Sequence, residues 1–389
     1  MRGPRRHLLI LRVWLLVVAL VVGTGGVAVS ASAGTAAGAS AGTPGGPHVP
    51  PEQGEPNRSA MLSYDDVQEE LFAIESRSNG DVKVEEFGRS GEGRALRAAY
   101  IGSGDKRVWV QGRIHGDEPY GAEASLAFLK HLAAGGKQAT RVLEEITFVI
   151  IPLYNPDGYE AYIRQDTTHG IDLNRDWGVD RDTFDLVNQI REERGQPPLP
   201  DSVFDNYTQH RAVESQAHWY LWEEFRPHYM IDIHHQGTYY SGDSDDMTTF
   251  SMGISLDPGM LDDEQWDAVR QMAVVAADAA GRNGAVNVTR YPYINIPEGV
   301  ISAAMLDAPG PDGEYAGWQS KAMFFETRGG IGQKSRGYLV RQNVESLRAV
   351  TDAIANGSLA DVDPGRWADL PPRGEPITQC STFPQQCVF

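Results

Sequence analysis

Residues able to do chemistry gather at four places in the chain. His115 and Glu118 stand three apart in His115-Gly116-Asp117-Glu118-Pro119, a loop that leads into a helical pattern. Asp172, Asn174 and Arg175 sit together in Ile171-Asp172-Leu173-Asn174-Arg175-Asp176-Trp177. His234 and His235 follow one apolar run, and Glu326 ends another. A catalytic zinc asks for three protein ligands and one open position. His115 and Glu118, on one short loop, can point at a single ion, and the distant His234 can complete the triad. Glu326 would then stay off the metal and act as a base. Alone, the H-x-x-E spacing is weak, because it recurs by chance and Glu118 also suits a helix N-terminus. Asn174 and Arg175 alone read better as an N-cap and a surface ion pair with Asp172 or Asp176.

The elements around these residues place them. Residues 63–76 read as a helix capped by Ser63, with Val67, Leu71 and Ile74 on one face. Apolar runs at 108–110, 146–153, 229–233 and 322–325 read as buried strands. Helical patterns at 122–132, 213–225, 264–282 and 343–355 alternate with them. Short apolar strands alternating with helices predict an α/β fold, a mixed and largely parallel sheet flanked by helices. In such sheets sites form beyond the carboxyl ends of strands, where His115, His234 and Glu326 all fall. His234 is preferred to His235 because neighbours on a strand face opposite sides.

Taken in order, five segments resemble the M14 zinc carboxypeptidase family. They are His115-x-x-Glu118, Asn155-Pro156-Asp157-Gly158, Asp172-Leu173-Asn174-Arg175, Asp232-Ile233-His234 and Phe324-Phe325-Glu326-Thr327-Arg328, and the likeness covers about residues 60–355. The resemblance implies a single zinc-peptidase domain with one Zn2+ held by His115, Glu118 and His234. It implies that Asp172 orients His115, and that Asn174 and Arg175 grip the terminal carboxylate of a peptide. It implies too that Arg164 polarises the scissile carbonyl and that Glu326 is the general base. One departure concerns a tyrosine that the family carries shortly before the glutamate. The stretch 302–310 contains none, and Tyr291, Tyr293 and Tyr315 are off-register. Asp307 and Asp312, in the same region, are acids that could select a basic side chain.

The rest of the chain bounds the setting. Arg2, Arg5 and Arg6 precede an apolar run and the small-residue exit Ala31-Ser32-Ala33, which predicts a signal peptide over 1–33 and secretion. A Gly-, Ala- and Pro-rich leader follows over 34–58, too short and polar for a folded pro-segment. The catalytic domain is expected over 59–357. An irregular tail is expected over 358–389, where Cys380 and Cys387 are a candidate disulfide. With 34 Lys plus Arg against 53 Asp plus Glu, the net charge is −19, which leaves no electrostatic footprint for nucleic acid. The expected function is a secreted zinc-dependent carboxypeptidase acting on peptides with a free C-terminal carboxylate. Its alternatives are an amidase on peptidoglycan stem peptides and a catalytically inactive binding module.

Overall fold

The computed structural model describes residues 61–377, apart from 194, 255, 257–259, 283–286, 293–298 and 329–335. The expected signal peptide, the leader and the Cys380–Cys387 pair lie outside the described residues. The first helix falls where the sequence predicts. Helix α1 (Tyr64–Arg77) is closed by a capping box, in which Ser63 Oγ accepts from the Asp66 amide and Asp66 accepts from the Ser63 amide. Its Val67, Leu71 and Ile74 are buried, one per turn.

The centre of the molecule is a sheet of four parallel strands. They are β3 (Lys106–Gly112), β4 (Ile146–Ile151), β5 (Tyr229–Gln236) and β9 (Lys321–Arg328), in the spatial order β4-β3-β5-β9. Each is apolar along most of its length, as a strand covered on both faces must be. The hairpin of β1 (Val82–Arg89) and β2 (Ala95–Ile101) extends the sheet beside β4. On the other side β7 (Met247–Gly253) runs antiparallel to β9, followed by β6 (Tyr239–Ser241) and β10 (Arg373–Pro376). Strand β8 (Asn287–Arg290) pairs with β7. Helices α2 (Gly121–Ala133), α8 (Asp263–Arg282) and α10 (Arg336–Asn356) pack on this sheet, with α10 also packed on each of the other two. A typical joint is Phe128 of α2 edge-on to Phe148 of β4 at 5.7 Å. Truncating either ring would cost about 3–5 kcal/mol.

The mixed, largely parallel sheet flanked by helices is therefore the expected architecture, but it is wider than the sequence suggests. Strand β1 spaces its charges (Lys83, Glu85, Glu86, Arg89) among half-buried positions, and β7 carries Thr248, Thr249 and Ser251, so neither presents an apolar run. The stretch 358–377 needs correction: it is not irregular. It holds two 3-10 turns, Ser358–Asp361 and Pro364–Asp369, and ends in β10.

Parallel pairing does most to build the site. The register of β5 and β9 sets His234 opposite Glu326. The chain leaves β3 at Gly112, and three residues later His115 stands beyond the carboxyl end of the same sheet.

Candidate active site

The loop after β3 is held from beneath by a second loop. Asn155 caps a short helix, α4 (Pro156–Ala161), by accepting from the Gly158 amide at 2.9 Å, and its Nδ2 donates to the Gln165 carbonyl at 3.0 Å. The Gly116 amide donates to the Arg164 carbonyl at 3.4 Å. Gly116 is packed so closely that a Cβ there would lie 2.0 Å from the Gly158 carbonyl carbon. The two loops fix His115 and Arg164 relative to each other.

His115, Glu118 and His234 are all buried, and their donor atoms lie within 4.8 Å of one another. His115 Nδ1 is 2.5 Å from Glu118 Oε1, and His234 Nδ1 is 3.0 Å from Glu118 Oε2. The outer nitrogens are spoken for by acids. His115 Nε2 lies 3.2 Å from Asp172 Oδ1, and His234 Nε2 lies 2.9 Å from Asp232 Oδ2. An ionised carboxylate only accepts, so each Nε2 carries the hydrogen and each Nδ1 turns a lone pair inward. Two imidazole lone pairs and a carboxylate, on three buried side chains, then face one another. Such a set is reconciled only by positive charge, either protons or a cation. Electrostatics agree: against the penalty of burial, the two imidazoles hold the Glu118 carboxyl well below its usual value. Glu118 in turn raises His115, and Asp232 together with Glu118 raises His234. Two imidazole nitrogens and one carboxylate, each backed by an orienting partner, fit zinc.

Asp172 ties the site together. It opens a 3-10 turn, Leu173–Arg175, and its Oδ1 accepts from the Asn174 amide at 2.9 Å as well as facing His115. Its Oδ2 accepts from Arg164 Nε at 2.8 Å. Burial opposes its charge, but the His115 hydrogen bond and the charges of His115, Arg164 and Arg175 hold the carboxyl well below the usual range. Arg164 Nη1 also reaches to 3.6 Å from Glu118 Oε1. Asn174 Oδ1 accepts from the Val300 amide at 3.1 Å, and Arg175 Nη1 donates to the Asn174 carbonyl at 2.8 Å. Gly299, at φ +91°, passes so close that a Cβ would meet Asn174 Oδ1 at 2.6 Å.

These residues line one cleft of about 250 Å³. His115, Glu118 and His234 form part of its wall, with Arg164, Asn174, Arg175 and Glu326 around them. Glu326 Oε2 is enclosed and has no hydrogen-bond partner among the described residues. Burial, opposed by His234 and reinforced by Glu118, pushes its carboxyl up to about 7. A carboxylate of that affinity beside a cluster of donors suits proton transfer near neutral pH.

Seven of the eight residues named from the sequence line this cleft, and the eighth, Asp172, bonds to His115 and Arg164 behind it. His235 also lines it, but its Nδ1 has no partner among the described residues and does not join the cluster. Tyr291 lines the cleft, whereas Tyr315 is exposed and hydrogen-bonds Asp180, and Tyr293 lies outside the described residues. Asp307 and Asp312 do not line it. Asp307 ends helix α9 (Val300–Leu306) with its backbone in the left-handed region, its amide donating to the Ala303 carbonyl. Sequence reading missed Asp232, although its i, i+2 spacing from His234 on a strand puts both on one face. It also missed Gln236, at the end of the central strand β5, and Tyr239 and Arg373, on the outer strands β6 and β10, none of which carries a local signal.

The profile described as zinc carboxypeptidase matches residues 68–322. The chain belongs to the zinc carboxypeptidase family. Among curated relatives it is 35% identical over 123 residues to carboxypeptidase 2 of Trichophyton rubrum, covering 29% of this chain and 23% of that one. It is 28% identical over 165 residues to the carboxypeptidase N catalytic chain of Homo sapiens, covering 36% and 35%. The chain thus spans about a quarter to a third of the length of these relatives. Among solved structures, carboxypeptidase A from Helicoverpa armigera shares the fold with a TM-score of 0.55 and 20% identity, over 79% of this chain and 78% of that one. The matched segment ends at residue 322, before Glu326 and β10.

Proposed function

We propose that the protein is a zinc-dependent carboxypeptidase that hydrolyses the last peptide bond of substrates with a free C-terminal carboxylate. The observation that supports this most strongly is the convergence of His115, Glu118 and His234, with Glu326 set opposite His234 by strand register. In this reading His115 Nδ1, His234 Nδ1 and the Glu118 carboxylate hold one zinc ion. When bound, zinc supplies Lewis-acid character and positive charge to the cleft. Asn174 and Arg175 bind the terminal carboxylate, the planar guanidinium giving two parallel hydrogen bonds. The Arg164 guanidinium, oriented by Asp172, faces the scissile carbonyl oxygen as negative charge develops on it. Glu326 Oε2 takes a proton from the attacking water and delivers it to the leaving amine. His115 and His234 keep their orientation because Asp172 and Asp232 hold the Nε2 hydrogens.

We propose also that the chain is exported by a signal over 1–33 and that Cys380 and Cys387 pair outside the cell. Among the described residues no helix is long and apolar enough to cross a membrane. The test of the function is a panel of dipeptides and short peptides with free or amidated C-termini, assayed with and without a chelator. Hydrolysis of free peptides only, abolished by the chelator and restored by zinc, is the expected result. Equal rates on free and amidated peptides would remove the Asn174–Arg175 clamp, and hydrolysis of muropeptides alone would favour the cell-wall amidase. Zinc binding without hydrolysis of any peptide would leave the inactive binding module.

A further inference from the structure

Arg373 is a cation in the cleft that none of the chemistry above uses. It opens β10, outside the segment matched to the family. Its guanidinium lies between two aromatic faces, 4.0 Å from the Tyr239 ring centre and 3.9 Å from that of Tyr291. Nη1 donates to Gln236 Oε1 at 3.0 Å, and Gln236 is itself locked by Ser251 Oγ at 2.8 Å. Nε is enclosed without a hydrogen-bond partner, and no carboxylate pairs with Arg373 among the described residues. Tyr291 stands edge-on to Phe324 at 5.0 Å, and Phe324 edge-on to His234 at 5.9 Å. The guanidinium is thus two ring contacts away from the cluster of donors.

Stacking covers both faces of a guanidinium and leaves only its edge to make hydrogen bonds. One edge donor is taken by a neutral amide. The half-buried Arg373 is in no ion pair with a carboxylate among the described residues, although Glu326 feels its charge, so its free edge is open to an anion brought by a ligand. The other two arginines of the cleft have work already: Arg164 is paired with Asp172, and Arg175 is assigned to the terminal carboxylate. Asn174 binds the amide of Val300, and the next residue, Ile301, lines the same cleft as Phe324, Tyr291 and Arg373. A terminal residue held at Asn174 and Arg175 would send its side chain along that lining toward Arg373.

We infer that Arg373 determines specificity by binding a second carboxylate, that of an acidic side chain on the C-terminal residue. This rests on the carboxypeptidase reading above. Two sources share the chemistry: glutamate or aspartate ending a protein-derived peptide, and a dicarboxylic diamino acid ending a cell-wall stem peptide. The test measures kcat/KM of the zinc-loaded full chain on peptides differing only in the last residue, with Glu, Gln, Lys and diaminopimelate as the arms. Glu should exceed Gln by about 10- to 100-fold, the range of a hydrogen bond between charged groups. Arg373→Met should bring that ratio near one, Arg373→Lys should retain part of it, and Arg373→Glu should favour Lys. The faster of the Glu and diaminopimelate arms names the source. A wild-type ratio near one, or a ratio unchanged in Arg373→Met, overturns the inference. If Arg373 acted only on the charge of Glu326, Arg373→Met would alter every arm equally and leave the ratio intact. If no arm is hydrolysed, the carboxypeptidase reading fails on its own. Calorimetry with free glutamate and glutamine then decides: tighter glutamate binding lost in Arg373→Met supports the inference, and equal binding overturns it.

Discussion

At the scale of single residues, groups only a few ångströms apart have separate tasks, and each can be removed alone. Glu326→Gln keeps the shape of the cleft and removes the proton acceptor. Its kcat should fall by about 10²- to 10⁴-fold with little change in KM or melting temperature, read from steady-state kinetics and a thermal scan. Asp232→Asn leaves a hydrogen-bond partner for His234 Nε2 but no negative charge, and an amide nitrogen there would clash with the ring N–H. Zinc affinity should weaken about 10- to 100-fold in a chelator competition. The residues of this scale that were legible in sequence are those with chemistry at short spacing: His115 with Glu118, and Asp172 with Asn174 and Arg175. Glu326 and His234 were legible as strand-end polar residues joined to a family order. Arg373 was not, because a lone arginine far along the chain carries no sign of which cleft the sheet edge will bring it to.

Elements position those residues through close backbone contacts that tolerate little. Gly116 lies between His115 and Glu118, and its neighbours at 2.0 to 2.4 Å from an added Cβ are all backbone atoms of Gly158 and Ile163. Backbone cannot rotate away as a side chain can. Gly116→Ala should therefore part the two loops, lowering zinc affinity and the melting temperature together. A variant with normal zinc affinity would show that the loop contact does not set the site. The buried parallel strands and the long helices could be read because their apolar periods are unbroken. The hairpin β1–β2 and the edge strands β6, β7, β8 and β10 could not, since short or half-exposed strands carry polar residues at alternate positions and so look like loops. Two of the residues that sequence reading missed, Tyr239 and Arg373, lie on these poorly legible outer strands.

For the whole molecule, one buried group makes the fold sensitive to acid independently of the metal site. His218, on helix α7 (Val213–Phe225), is fully buried, stacks on Tyr154 at 3.5 Å and lies 2.7 Å from the Glu214 carbonyl through Nδ1. Burial lowers its pKa from 6.5 to about 3. Between those values the unfolded chain binds the proton and the fold does not, so stability is complete above about pH 6.5 and falls as pH drops. This one group should cost up to about 2 kcal/mol between pH 7 and pH 5. Urea unfolding at the two pH values measures it, and His218→Gln should shrink the difference. An unchanged difference would place the acid sensitivity elsewhere. The overall architecture was legible because alternating strands and helices leave few arrangements open to a chain of this length.

The central claim is that His115, Glu118 and His234 hold one cation with Glu326 beside it. Crystals grown with zinc and measured across the zinc absorption edge test it most directly. The account predicts a single anomalous peak about 2.0–2.1 Å from His115 Nδ1 and His234 Nδ1, touching Glu118 and not bonded to Glu326. A peak bonded to His235 or to Glu326 in place of these, or no peak in the cleft at full zinc occupancy elsewhere, would contradict it.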